Sequence, residues 1–180
     1  MQMDNTTTLL SDISSLVRQE YAQFQKNSWV GSPFAWILTF SSRTRGAIGE
    51  RLIARWCESQ KLRVSRSPDT DADILINGHR VEIKFSSLWS NGVYNFQQIR
   101  DQRYEYLLCL GVSPFRVHAW ITDKRDIPFS ELKHQHGGAR GHDTWWIIFK
   151  PNDPPDWLGK QPGTLDFVSN FFTRISQKQK

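Results

Sequence analysis

The spacing of apolar residues changes several times along the chain, and each change predicts an element. Between Leu9 and Phe24 the residues Ile13, Leu16, Val17, Tyr21 and Phe24 recur every three or four positions, which predicts an amphipathic helix. Gly31-Ser32-Pro33 then predicts the start of a short apolar helix reaching about Thr39, with Ser32 as its cap and Pro33 at its first position. A further helix is predicted from about Arg45 to Gln60, with Ile48, Leu52, Ile53 and Trp56 as its core stripe. KLRVSR reads as a strand, and in DADILINGHRVEIKFSS the period shortens to two on either side of Asn77-Gly78. That dipeptide predicts a type I′ hairpin pairing Ile76 with His79, Leu75 with Arg80, Ile74 with Val81 and Asp73 with Glu82. A short helix is predicted near Phe96 to Gln102, then a strand whose run Leu107 to Val112 suits burial on both faces, then the strand RVHAWIT. Ile127-Pro128 is read as the end of the sheet region and SELKHQH as a short helix capped by Ser130. TWWIIFK reads as a strand, PNDPPDWLGKQPG as a Pro-rich excursion clamped by its aromatic, and Leu165 to Ile175 as a closing helix. This order predicts an α/β fold with a central mixed sheet flanked by helices.

Composition adds three constraints. At 180 residues the chain is long enough for one domain with a substantial core. The formal net charge of +5 favours a polyanionic partner, and the eight Trp residues are either core filler or platforms that stack on bases. Cys57 and Cys109 both sit inside apolar runs, which argues against a disulfide framework or a cysteine zinc site and for a reducing compartment. The histidines His134, His136 and His142 lack a fourth ligand at zinc spacing. With no basic leader before an apolar segment and no apolar run of spanning length, the expected setting is soluble and cytoplasmic, with no membrane partner.

The hairpin carries the chemistry. Alternation puts Ile74, Ile76, Val81, Ile83 and Phe85 on one face, and Asp73, Leu75, Arg80, Glu82 and Lys84 on the other. Opposed carboxylates cost a sheet a few tenths of a kcal/mol up to ~1. A divalent cation reverses that sign, and Mg²⁺ is usually held by one or two carboxylates together with waters and substrate phosphate. Lys84 lies beside that position. A polar face turned to solvent is the plainer reading of the same residues. Glu50, on the predicted helix, shares a side with Ile53, Ala54 and Cys57, and either points inward at the sheet or pairs with a neighbouring arginine outside.

Glu50 in RGAIGERL, Asp73 in DADILI, and Glu82 and Lys84 in VEIKFSS together resemble the PD-(D/E)XK nuclease superfamily over roughly Arg45 to Ile121. Ala72, rather than proline, precedes Asp73, which departs from that pattern; Pro68-Asp69 is the only Pro-Asp nearby. The resemblance implies a restriction-endonuclease-like core: a single domain over 1–180, with an N-terminal helical segment (9–40), a catalytic core (41–122) and an aromatic-rich C-terminal extension (123–180) carrying recognition loops. It implies that Asp73, Glu82 and the Ile83 carbonyl ligate Mg²⁺, with Mn²⁺ able to substitute. Lys84 would orient or deprotonate the attacking water, and Glu50 would hold a second ion or a coordinated water. The substrate implied is double-stranded DNA.

Within the superfamily, RGAIGERL followed by VSRSP is similar to archaeal Holliday-junction resolvases, while FQQIRDQRYEYLLCLGV and the long C-terminal part are more similar to type II restriction endonucleases and the mismatch-repair nicking endonuclease. The restriction reading ranks first and brings a possible homodimer and a companion methyltransferase; a non-catalytic DNA-binding module is a further alternative. Phosphate contacts are expected from Arg43, Arg45, Arg51 and Arg66. Further DNA contacts are expected from Trp89, Asn91, Tyr94, Gln98, Arg140 and His142.

Overall fold

The computed structural model describes residues 28–135 and 143–177, together with Thr7, Leu10, Ser11, Ile13 and Ser14, whose backbone is helical. The helix predicted over 9–24 therefore lies mostly outside the described residues, and Arg140 and His142 lie wholly outside them.

Ser32 accepts a hydrogen bond from the Phe34 N–H (3.0 Å) just before a 3-10 segment, Ala35–Thr39. Helix α1 (Ser42–Ser59) begins three residues earlier than its apolar stripe suggests, because the Ser41 hydroxyl oxygen accepts the Thr44 N–H and caps it. The strands follow as β1 (Val64–Arg66), β2 (Ile74–Ile76), β3 (His79–Ser87), β4 (Tyr94–Ile99), β5 (Tyr106–Val112), β6 (Val117–Asp123), β7 (Lys133–Gln135) and β8 (Thr144–Phe149). Two more helices, α2 (Asp156–Gly159) and α3 (Leu165–Gln177), complete the order.

The strands form a five-stranded sheet, β1-β2-β3-β5-β6, and a three-stranded sheet, β4-β8-β7. The hairpin has the predicted register, Ile74↔Val81, Leu75↔Arg80 and Ile76↔His79, with Asn77 at φ 51° and Gly78 at φ 91° as a type I′ turn requires. Only the β3–β5 pair is parallel within the larger sheet, so the sheet is mixed. Residues on β5 serve two cores in alternation. Leu108, Leu110 and Val112 join Ile53 and Cys57 of α1 and Val168 and Phe172 of α3, whereas Leu107 and Cys109 join Tyr94, Phe96, Ile147, Phe149 and Trp120. The molecule is thus layered: helices, the five-stranded sheet, then the three-stranded sheet. At Gly111 a Cβ would lie 2.6 Å from the Tyr94 ring, so the aromatic of the second sheet packs directly on the β5 backbone.

Two expectations fail together, and they are the reason the second sheet was not foreseen. The segment from Phe96 is strand β4, not a helix. Its register against β8 shifts between Phe96 and Ile99, and Gln98 sits at φ 56°. A bulge inserts a residue, so Phe96 and Ile99 both face the core although three positions apart, which imitates helical spacing. SELKHQH is likewise not a helix: Lys133, His134 and Gln135 pair with Trp146, Trp145 and Thr144. The sheet region therefore continues past Pro128. The Pro-rich excursion is clamped as predicted, with Trp157 packed on the second core and the Gly163 carbonyl accepting the Ala119 N–H on edge strand β6 (3.0 Å). No helix among the described residues is long and apolar enough to cross a membrane.

Candidate active site

Strand β2 stops at Ile74, and Asp73 occupies the position where the ladder would have continued toward Glu82. Its N–H still donates to the Val81 carbonyl (3.0 Å), but its side chain takes over the next step, Oδ2 accepting the Ile83 N–H at 2.7 Å. The carboxylate is thereby fixed by β3 itself. Beyond this point the β2 side of β3 is free of ladder pairing, which opens the strand where Glu82 and Lys84 project.

Glu82 is 5% exposed, on the face of β3 opposite Val81 and Ile83. Lys84 Nζ lies 2.6 Å from Glu82 Oε1, so the two same-face residues form a nearly buried ion pair. Glu50 approaches from α1. The glycine before it lets the helix touch β3: a Cβ on Gly49 would stand 2.5 Å from Phe85 Cβ. Glu50 consequently interacts electrostatically with both Lys84 and Glu82, and not with an outer arginine. The structure brings Glu50, Asp73, Glu82 and Lys84 together.

Burial is the largest influence on all three acids and pushes each above the ordinary carboxylate range. At Glu82 the Lys84 ammonium works against burial and Asp73 adds to the rise. At Asp73 the Ile83 N–H favours the charged form, Glu50 opposes it, and Lys84 and Arg100 favour it. Mutual repulsion and desolvation thus act in the same direction, toward proton uptake or cation binding.

Two residues at this site were not anticipated from the sequence. Arg100 directly follows the bulged end of β4 and stands within electrostatic reach of both Asp73 and Glu82. Tyr104 is 3% exposed, its hydroxyl has no hydrogen-bond partner, and burial followed by the Glu82 charge pushes its phenol upward. Neither carries a spacing signal, because the strand that delivers Arg100 was itself read as helix. Arg100 also lines a cleft of about 480 Å³ with Asp71, Asp101, Arg103, Lys124 and Trp145.

The candidate DNA contacts divide. Arg43, Arg51 and Arg66 are exposed, Trp89 is 48% exposed in the loop after β3, and Asn91 and Gln98 are exposed as well. Arg45, half-buried, is instead tied to the preceding segment, donating to the Phe40 carbonyl (2.8 Å) and to the Leu38 carbonyl (3.3 Å). Tyr94 is removed from the set. It is fully buried in the second core, its hydroxyl paired with His118 Nδ1 at 2.9 Å and its phenol pushed up to about 12 by burial.

Among the described residues no three His, Cys, Asp or Glu side chains form a ready-made metal cage. What the site offers is a smaller donor set. Asp73 uses Oδ2 for the Ile83 N–H and Glu82 uses Oε1 for Lys84, which leaves the second oxygen of each carboxylate as the donor the site can offer. Hard carboxylate oxygens in that number fit an ion that keeps part of its water shell, as Mg²⁺ does, and do not fit a fully protein-coordinated cation.

No protein-family model matches the chain. No curated protein matches it. Among solved structures it is similar to the bacterial homing endonuclease I-Ssp6803I, with a TM-score of 0.45 and 14% sequence identity over 77% of this chain and 93% of that one. A likeness of that size assigns neither a family nor an activity to this chain.

Proposed function

We propose that this protein is a Mg²⁺-dependent DNA endonuclease, of the type II restriction kind, that hydrolyses phosphodiester bonds in double-stranded DNA. The observation that supports it is the convergence of Glu50, Asp73, Glu82 and Lys84 at one open strand edge, with all three carboxylates held above their ordinary proton affinity by burial. With every group ionised, three carboxylates face Lys84 and Arg100 and leave one net negative charge. One divalent cation turns that into one positive charge, which one phosphodiester neutralises. Their order along α1, the hairpin and β3 is also the order of the PD-(D/E)XK pattern.

Asp73 and Glu82, with the Ile83 carbonyl, would hold Mg²⁺; Mn²⁺ is expected to substitute. When bound, the ion makes water more acidic and neutralises charge on the phosphate. Asp73 is kept in position by the Ile83 N–H. Lys84, anchored on Glu82, orients the attacking water and offsets the charge that builds on the phosphate oxygens. Glu50 adds a third negative group, for a second ion or the attacking water. Water oxygen bonds to phosphorus, the bond to one sugar oxygen breaks, and that oxygen takes up a proton. Exposed Arg43, Arg51 and Arg66 would add phosphate contacts and, in the net-positive chain, make binding salt-dependent. Cutting both strands of a palindromic site would call for a two-fold dimer. A restriction role would also call for a companion methyltransferase.

The test is incubation of supercoiled plasmid, linear DNA and four-way junctions with Mg²⁺ or EDTA. Native protein is expected to give discrete fragments with Mg²⁺ alone, and Lys84→Ala to lower the rate by about 10²–10⁴-fold. Cleavage confined to junctions, or nicking of one strand, would replace the restriction role by a recombination or repair one. DNA binding with no cleavage in Mg²⁺ would make the chain a binding module.

A further inference from the structure

We propose that Arg100 is the phosphate-gripping residue of this site, holding a phosphodiester of the DNA strand between the acidic cluster and the adjoining cleft. The inference rests on the endonuclease reading for its substrate, but its geometry stands on separate residues. Three cations line the cleft. Arg103 is held by Asp71 at 2.6 Å, and Lys124 by Asp101 at 2.7 Å. Arg80, nearby in the same charged network, is paired with Asp69. Arg100 alone of the cleft cations has no hydrogen bond or ion pair among the described residues, although it is half-buried. A half-exposed guanidinium at the wall of a cleft, with its donors unpaired, is available to a ligand, and its planar fork matches two oxygens of one phosphate.

Its placement is produced by the bulge. The register shift between Phe96 and Ile99, with Gln98 at positive φ, ends β4 with Ile99 in the core, so that the following residue, Arg100, leaves the ladder. Bulges re-aim side chains in this way next to working sites. Arg100 then stands where the fields of Asp73 and Glu82 reach it. Without a cation, those carboxylates attract the guanidinium and compete with a phosphate for it. A divalent ion on the carboxylates removes the competition, so occupation by metal and capture of phosphate by Arg100 reinforce each other.

The experiment measures binding apart from cleavage. Affinity for a fluorescent DNA duplex is titrated against salt with Ca²⁺ in place of Mg²⁺ and again in EDTA, for native protein, Arg100→Ala, Arg100→Lys and Arg51→Ala. Single-turnover cleavage with Mg²⁺ is followed in parallel, and a melting curve with Mg²⁺ reports folding and ion binding. Arg100→Ala is expected to keep its fold and its Mg²⁺ response, to weaken Ca²⁺-supported binding about tenfold, and to reduce the salt slope by about one contact. Its loss is expected to be smaller in EDTA than in Ca²⁺, with Arg100→Lys intermediate, whereas Arg51→Ala should lose equally in both. Unchanged affinity in Arg100→Ala, or an equal loss with and without the divalent ion, would overturn the proposal. Native protein that binds but never cleaves would sink the nuclease reading while leaving the Arg100 result readable from binding; native protein that binds no DNA would sink both.

Discussion

At the scale of single residues, burial favours the protonated form of the acids at the site, the form they would have to leave to hold a cation. Burial raises the proton affinity of Glu50, Asp73 and Glu82 in the folded chain. Between the ordinary carboxylate range and the raised values, the folded protein therefore binds more protons than the unfolded chain, and stability falls as pH rises. The contribution is fully present below the unfolded-state values and is lost as pH climbs through the folded ones. In EDTA the melting temperature of native protein should fall relative to an Asp73→Asn, Glu82→Gln variant across that window, and the two curves should run parallel above it. A difference that is flat with pH would mean that the carboxylates are not desolvated as described. Lys84 belongs to the same account, since its ammonium is, among the described residues, the cation in direct contact with Glu82.

Among elements, the contact that matters most for chemistry is α1 on β3. Gly49 lies so close to Phe85 that a methyl group there would overlap it, and Glu50 is the next residue. Gly49→Ala is expected to cost about 1–3 kcal/mol of stability by overpacking, and to lower cleavage further than that loss explains because α1 must lift with Glu50 on it. A chemical melt alongside single-turnover rates separates the two effects. The hairpin, its register and its charged face were readable in the sequence because Asn77-Gly78 permits one turn geometry and a period of two admits one facing set. The second sheet was not readable, since the bulge at Gln98 counterfeits helical spacing and β7 is too short to show a period. A similar blindness covers Asn77. Its side chain ties the turn to the residue before β1 through the Arg63 N–H (2.9 Å) and to α3 through Ser176 (2.9 Å), contacts between parts of the chain that no local pattern links.

For the molecule as a whole, the proposed cation site would link ion binding to folding. Mg²⁺ bound only by the folded chain should stabilise it by about 2.7 kcal/mol at a hundred times its dissociation constant. Because an ion held by Asp73 and Glu82 would compete with protons for them, the rise in melting temperature should be larger at pH 8 than at pH 5.5. Absence of any shift at millimolar Mg²⁺ would count against a shared ion. The layering has one more consequence, which concerns the order in which the chain is made. Strand β4 is tied to β3 by the Asn95 N–H, which donates to the Ser86 hydroxyl (2.9 Å), yet its ladder partner is β8, where Asn95 meets Ile148. A ribosome releases the acidic hairpin long before it releases the strand that secures its cover. Until Phe149 has emerged, Asp73 and Glu82 of a nascent chain are expected to titrate as ordinary solvated carboxylates, and completion of the second sheet to bring on the burial that raises them.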